Sequence, residues 1–151
     1  MVLADAGYGN GTPFRTAVTQ LGLSYRVGIE SATTVWEPGQ QPLPAPPRKP
    51  GRGAAPKRLQ RSADHQPISV KRLAFGLRSS AWKEIRGRPG SRETLRSRFA
   101  AVRVRPPHRD EKRSVPHPEE WLLIEWPNKE SEPTKYGLST LSAKASLKSL
   151  V

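Results

Sequence analysis

The chain has 151 residues, a formal net charge of +13, 16 prolines and no cysteine, and only 34% of its residues are apolar. This length allows at most one domain, and the apolar share, below the usual ~45–50%, allows only a small core. Disulfides and thiolate metal sites are excluded. No apolar run approaches the ~20 residues of a membrane span and no signal-peptide pattern opens the chain, so the expectation is a cytoplasmic protein without membrane contact, nucleoid-associated if bacterial.

The charge is unevenly spread. Residues 1–47 hold two basic and three acidic side chains, residues 48–113 twenty and five, and residues 114–151 four and five. The whole excess, a net +15, therefore lies in the middle. Such a block attracts a polyanion, because each neutralised phosphate releases counterions.

In chain order, Val2-Leu3-Ala4 reads as the end of a buried strand with Asp5 at its tip. Gly7, Gly9 and Gly11 form a turn into a helix that Thr12 caps and Pro13 starts, with Phe14, Ala17, Val18 and Leu21 on one face and Gly22 as its stop. Ser24–Ile29 reads as a strand with Tyr25, Val27 and Ile29 on one side. Strand, helix and strand with short connections predict a parallel βαβ unit. A dinucleotide-binding turn is the competing reading, but Thr12 stands where the third glycine of that fingerprint belongs.

Thr33–Trp36 reads as a short strand. Glu37–Gln66 interleaves seven prolines with six basic residues, a composition that predicts extended, mobile chain. Ser69 caps a helix with Val70, Leu73, Ala74 and Leu77 on one face and Arg72 off it. Trp82–Arg86 reads as a strand, Gly87–Ser91 as a turn and Leu95–Arg105 as a strand with Ala100, Val102 and Val104 on one face. Arg103 and Arg105 share the other face, about 6.5–7 Å apart, where they either reach neighbouring phosphates or form a solvated outer face. His65, His108 and His117 lie in loops without metal-ligand spacing. Glu120–Trp126 and Lys135–Leu141 read as an antiparallel hairpin with Leu122, Ile124 and Trp126 inward. Ser142 caps a last helix carrying Ala143, Leu147, Leu150 and Val151 on one face.

Four stretches, in this order, resemble insertion-sequence DDE transposases: Leu3-Ala4-Asp5-Ala6-Gly7-Tyr8-Gly9, Arg98 to Val104, Glu120 to Trp126, and Lys135 to Leu141. The resemblance implies an α/β to α+β fold, with an incomplete ribonuclease-H-like core followed by a β-rich insertion and the start of a C-terminal helix. The expected division is residues 1–34 as partial core, 35–66 as a Pro/Arg-rich flexible linker, 67–141 as a basic β-rich insertion with one helix, and 142–151 as the start of a truncated core helix. Gly137 and Ser142 depart from the family's pattern.

The activity so implied is metal-dependent DNA cleavage and strand transfer in DNA transposition, with Mg2+ ions held by three carboxylates. Asp5 matches the second of these by its neighbours, as catalytic residue and metal ligand. In the family the first lies before the stretch around Asp5 and the third on the helix that Ser142 begins, so the chain is expected to be an internal fragment, catalytically incompetent alone and holding Mg2+ weakly. DNA at transposon ends and other transposase chains are the implied partners, with Arg72, Arg98, Arg103 and Arg105 as candidate DNA contacts. The alternative is a non-enzymatic basic protein that binds DNA or RNA.

Overall fold

The elements run β1 (Val2–Ala4), α1 (Ala6–Gly9), α2 (Thr12–Gln20), β2 (Tyr25–Ile29), β3 (Thr34–Val35), β4 (Ile68–Ser69), α3 (Val70–Gly76), β5 (Trp82–Arg86), β6 (Arg96–Val104), β7 (Glu120–Pro127), β8 (Lys135–Ser139) and α4 (Leu147–Leu150), with 3-10 turns at Ser79–Ala81 and Asp110–Lys112. This computed structural model describes residues 1–86 and 96–151. The expected turn Gly87–Ser91 and the expected strand start at Leu95 lie outside them.

Six strands form one mixed sheet in the order β1-β2-β8-β7-β6-β5, and β3 pairs with β4 in a separate two-stranded ribbon. β1 and β2 are parallel, Ala4 opposite Val27. Every other pairing in the large sheet is antiparallel. The βαβ unit is thus present, with two helices between its strands. The β-rich segment continues the same sheet, because β8 lies against β2 with Gly28 opposite Gly137.

Alternation explains the core. Tyr25, Val27 and Ile29 of β2, Leu122 and Ile124 of β7, and Tyr136 and Leu138 of β8 all project from one face, since successive strand side chains point to opposite sides. Val18 of α2 and Val70, Leu73 and Ala74 of α3 cover that face. Full burial of each aliphatic side chain is worth about 1.5–3 kcal/mol. α3 forms as its sequence predicts: the Ser69 hydroxyl accepts the Arg72 N–H at 3.2 Å, satisfying one of the donors a helix start leaves free.

Three local expectations need correction. Gly11, not Thr12, occupies the N-cap of α2. The helix also buries a different stripe: Val18 and Arg15 are inside, Phe14 is half-buried, and Ala17 and Leu21 are exposed, Leu21 by 74%. Arg15 turns inward because its guanidinium donates to the Gly9 carbonyl, and that rotation swings Ala17 and Leu21 outward. The last helix starts four residues late, capped by Ser146, whose hydroxyl accepts the Ser149 N–H at 3.2 Å. Ser142 instead closes a turn, its carbonyl accepting from the Ala145 N–H and from Trp121 Nε1.

The Pro/Arg-rich stretch is tied to the body at its base. Leu43 and Gln60 exchange reciprocal backbone hydrogen bonds of 2.9 Å, and the Leu59 N–H donates to the Arg113 carbonyl. Pro42 and Leu59 are buried. Among the described residues no helix is long and apolar enough to cross a membrane.

Candidate functional site

Asp5 sits where the strand ends and α1 begins. Its backbone is extended (φ −80°, ψ −177°), and Oδ1 accepts the Gly7 N–H at 3.0 Å as the N-cap of α1. The side chain is exposed, so β1 and the cap fix the carboxylate while its second oxygen stays accessible. It borders a cleft of about 820 Å3 on the side of the sheet away from the core, floored by Gly28 and Gly137 and edged by Arg26, Lys135, Glu125 and Phe99. The paired glycines keep that floor clear of side chains. They are also closely approached: a Cβ on Gly28 would stand 3.0 Å from the Ala6 nitrogen, and one on Gly137 3.2 Å from the Val27 carbonyl oxygen.

The turn behind Asp5 is braced from two directions. Gly9 packs so tightly on β2 that a Cβ there would lie 1.8 Å from the Gly28 carbonyl oxygen, so only glycine fits. Asn10 follows, and its Oδ1 accepts the Glu30 N–H at 2.8 Å and the Thr33 hydroxyl at 3.3 Å, latching α1 to the end of β2.

Beneath this turn lies a buried polar chain that sequence reading missed. Arg15, 7% exposed, donates to the Gly9 carbonyl and to Thr12 Oγ1. It also interacts with Tyr25, which in turn hydrogen-bonds Glu120. Burial first, then the Glu120 carboxylate, pushes the Tyr25 hydroxyl far above its ordinary range. Burial likewise raises Glu120, opposed by the Tyr25 hydrogen bond and the Arg15 charge. Glu120 Oε2 has no hydrogen-bond partner among the described residues. One signal was present: the alternation that turns Leu122 and Ile124 inward puts Glu120 on the same face.

The four candidate DNA-contacting arginines do not form one patch. Arg72 is exposed on α3. Arg98 is exposed on the core-side face at the far end of the sheet, its guanidinium 4.9 Å from the Trp126 ring centre and 5.9 Å from that of Trp82. Arg103 projects from the opposite face, 5.0 Å over the Trp121 ring, and donates to the Glu119 carbonyl at 2.6 Å. Arg105 donates to the His117 carbonyl at 2.6 Å, and both guanidiniums flank the Glu119 carboxylate, at 3.8 and 3.6 Å. A second missed cluster anchors the Pro/Arg-rich stretch. Buried Trp36 donates through Nε1 to Asp110 Oδ2 at 2.8 Å, His65 stacks on the Trp36 ring, and Arg61 stands 3.5 Å from the same carboxylate oxygen.

Residues 1–94, which hold Asp5, both helices around it, β2 and α3, match the DDE superfamily endonuclease family. The chain belongs to that family. No curated protein and no solved structure matches it. The six-stranded mixed sheet with few helices is compatible with an α/β nuclease-like fold, and membership of the DDE superfamily implies a DNA substrate.

DDE superfamily nucleases generally use a divalent metal. Tested against that need, Asp5 supplies one carboxylate with one oxygen already engaged by Gly7. Among the described residues no group of three His, Asp or Glu side chains is placed to hold a metal ion. This donor set therefore does not by itself fit a bound magnesium ion.

Proposed function

We propose that this chain is a fragment of a DDE transposase, with an incomplete ribonuclease-H-like core in β1, α1, α2 and β2 and a β-rich insertion joined to it through β8. Asp5 is one carboxylate of its catalytic set, and the remaining carboxylates come from outside these residues. The chain acts in metal-dependent DNA cleavage and strand transfer at transposon ends only when so completed, and alone it is catalytically incompetent. The observation that carries this reading is the placement of Asp5: a capped, exposed carboxylate at the end of a parallel strand, bordering an open cleft, inside the family-matched region.

A protein of this kind must first hold DNA. The middle of the chain supplies the charge, and exposed Arg72 and Arg98 are offered as phosphate contacts. Arg103 and Arg105 contribute less, because Glu119 already shares their charge. The test is magnesium-dependent nicking of supercoiled plasmid by the purified chain. No nicking is expected; nicking that Asp5→Asn abolishes would overturn the claim of incompetence.

A second reading, a non-enzymatic basic protein coating DNA or RNA, is favoured by the exposed cations of residues 48–58. It predicts affinity that falls with salt at a slope near −0.9 per neutralised phosphate and no response to Asp5→Asn even when the missing parts of a transposase are supplied in trans. Restored cleavage under those conditions would decide for the transposase.

A further inference from the structure

The arm between Leu43 and Gln60 has a built tip. Lys49, Pro50, Gly51 and Arg52 form a β-turn closed by the Arg52 N–H on the Lys49 carbonyl at 3.3 Å. Pro50 presets the first corner and Gly51 supplies the second at φ +76°, the signature of a type II turn. Arg48 Nε donates to the Arg52 carbonyl at 3.3 Å, so Arg48 and Arg52 flank the mouth of the turn and the Arg48 side chain reaches across it. Residues 46–58 are all exposed. They carry Arg48, Lys49, Arg52, Lys57 and Arg58 and no acidic residue, and among the described residues no carboxylate pairs with any of the five. Gly51 and Gly53 add no side chains to the tip, and the space beside them is open.

The base of the arm is fixed by contrast. Besides the Leu43–Gln60 pairing and the Leu59 contact, Arg61 donates to the Pro107 carbonyl at 2.7 Å and meets Asp110. A slender tip on an anchored base loses less freedom on binding than a free tail would.

We propose that this tip docks in the minor groove of A·T-rich duplex DNA, with Arg48 and Arg52 entering the groove and Lys49, Lys57 and Arg58 on the flanking phosphates. Three physical arguments favour the groove over a mere coating of phosphates. The minor groove is only about 6 Å wide in B-DNA, so it admits single side chains from a narrow turn. It narrows over A·T tracts, where its negative potential deepens and attracts arginine. Arginine sheds water more readily than lysine, and arginines hold the two positions at the mouth of the turn. The inference rests on the DNA-directed reading above and adds to it a groove and a base composition.

The test compares the full chain on two duplexes of equal length, one an A·T tract and one G·C-only, by fluorescence anisotropy at several salt concentrations. The A·T duplex should bind about tenfold more tightly, and a minor-groove-binding polyamide should displace the chain from it. Arg48→Lys with Arg52→Lys keeps the charge and should erase the A·T preference while leaving G·C binding within about threefold. Because all residues changed are exposed, circular dichroism should show an unaltered fold. Equal affinity for the two duplexes, indifference to the polyamide, or an A·T preference that survives the double lysine variant would each overturn the groove assignment and leave DNA binding standing. Failure to bind either duplex would overturn the DNA-directed reading itself, and this inference with it.

Discussion

Arg15 and Arg52 mark two uses of one functional group in this chain. Arg15 is 7% exposed and spends its donors on the Gly9 carbonyl and Thr12, next to Tyr25 and Glu120. Arg52 stands in solvent on a turn, with no carboxylate paired to it among the described residues. Arg103 and Arg105 fall between these extremes, a quarter exposed and sharing Glu119. A charge count treats all four alike. The difference teaches that in so basic a chain the neighbours of each cation, and not the net charge, decide whether it holds the fold or remains available to a polyanion.

The sharpest way to break this comparison is to remove Arg15. Arg15→Ala leaves the Gly9 carbonyl without its side-chain donor and Glu120 without its nearby charge. It should cost about 3–5 kcal/mol, the usual penalty for stripping one partner from a buried charged network. Chemical denaturation checks it, and a loss under about 1 kcal/mol would place Arg15 among the surface cations. Next in size is Gly9→Ala, whose added methyl collides with the Gly28 carbonyl. It should cost about 1–3 kcal/mol as an overpacked contact and displace α1, which amide-exchange rates at Gly7 and Asn10 would report.

Glu120 gives a smaller effect with a defined pH dependence. Burial is the chief reason its carboxyl holds its proton to higher pH in the folded state than in the unfolded chain. The contribution of such a group is fully present below the unfolded carboxylate pKa and is lost as pH rises through the folded value. Glu120→Gln removes that loss. The variant should therefore gain stability relative to the parent between pH 4 and neutrality, a change that denaturation midpoints at the two pH values would show. A variant whose deficit or gain is the same at both pH values would show that Glu120 does not titrate in this environment. The smallest effect is expected from Arg103→Ala with Arg105→Ala. DNA affinity should fall by no more than about threefold and equally for all sequences, as for partly neutralised phosphate contacts. A larger loss would move these two residues from the structural group to the DNA-facing one.

Much of the chain was legible locally. Alternation located β2, β6, β7 and β8 to within a residue or two, because a half-buried strand writes its period directly into the sequence. The Ser69 cap and the Val70, Leu73, Ala74 stripe located α3 for the same kind of reason. The position of Asp5 at the end of β1 was legible too, since the short apolar run stops at the acid and the glycines follow it. Serine caps were not decisive alone. Ser142 and Ser146 carry the same local signal, but the Ser142 carbonyl takes the Ala145 N–H of a turn and Trp121 Nε1 of β7, and the helix starts at Ser146.

The sequence by itself determined most of the strands, helix α3, the concentration of positive charge in the middle, and the acidic residue that ends the first apolar run. Tertiary structure alone decided that β8 lies against β2, opposing Gly28 to Gly137 and opening the cleft beside Asp5. It also decided that Arg15 and Glu120 are interior while Leu21 is not. Periodicity and caps act over three or four residues, so they are written in the local order of the chain. Strand neighbours and the surroundings of buried charges are set by contacts between segments far apart in sequence; Arg15 comes near enough to Glu120 to influence it because the sheet brings β2 and α2 toward the end of β7.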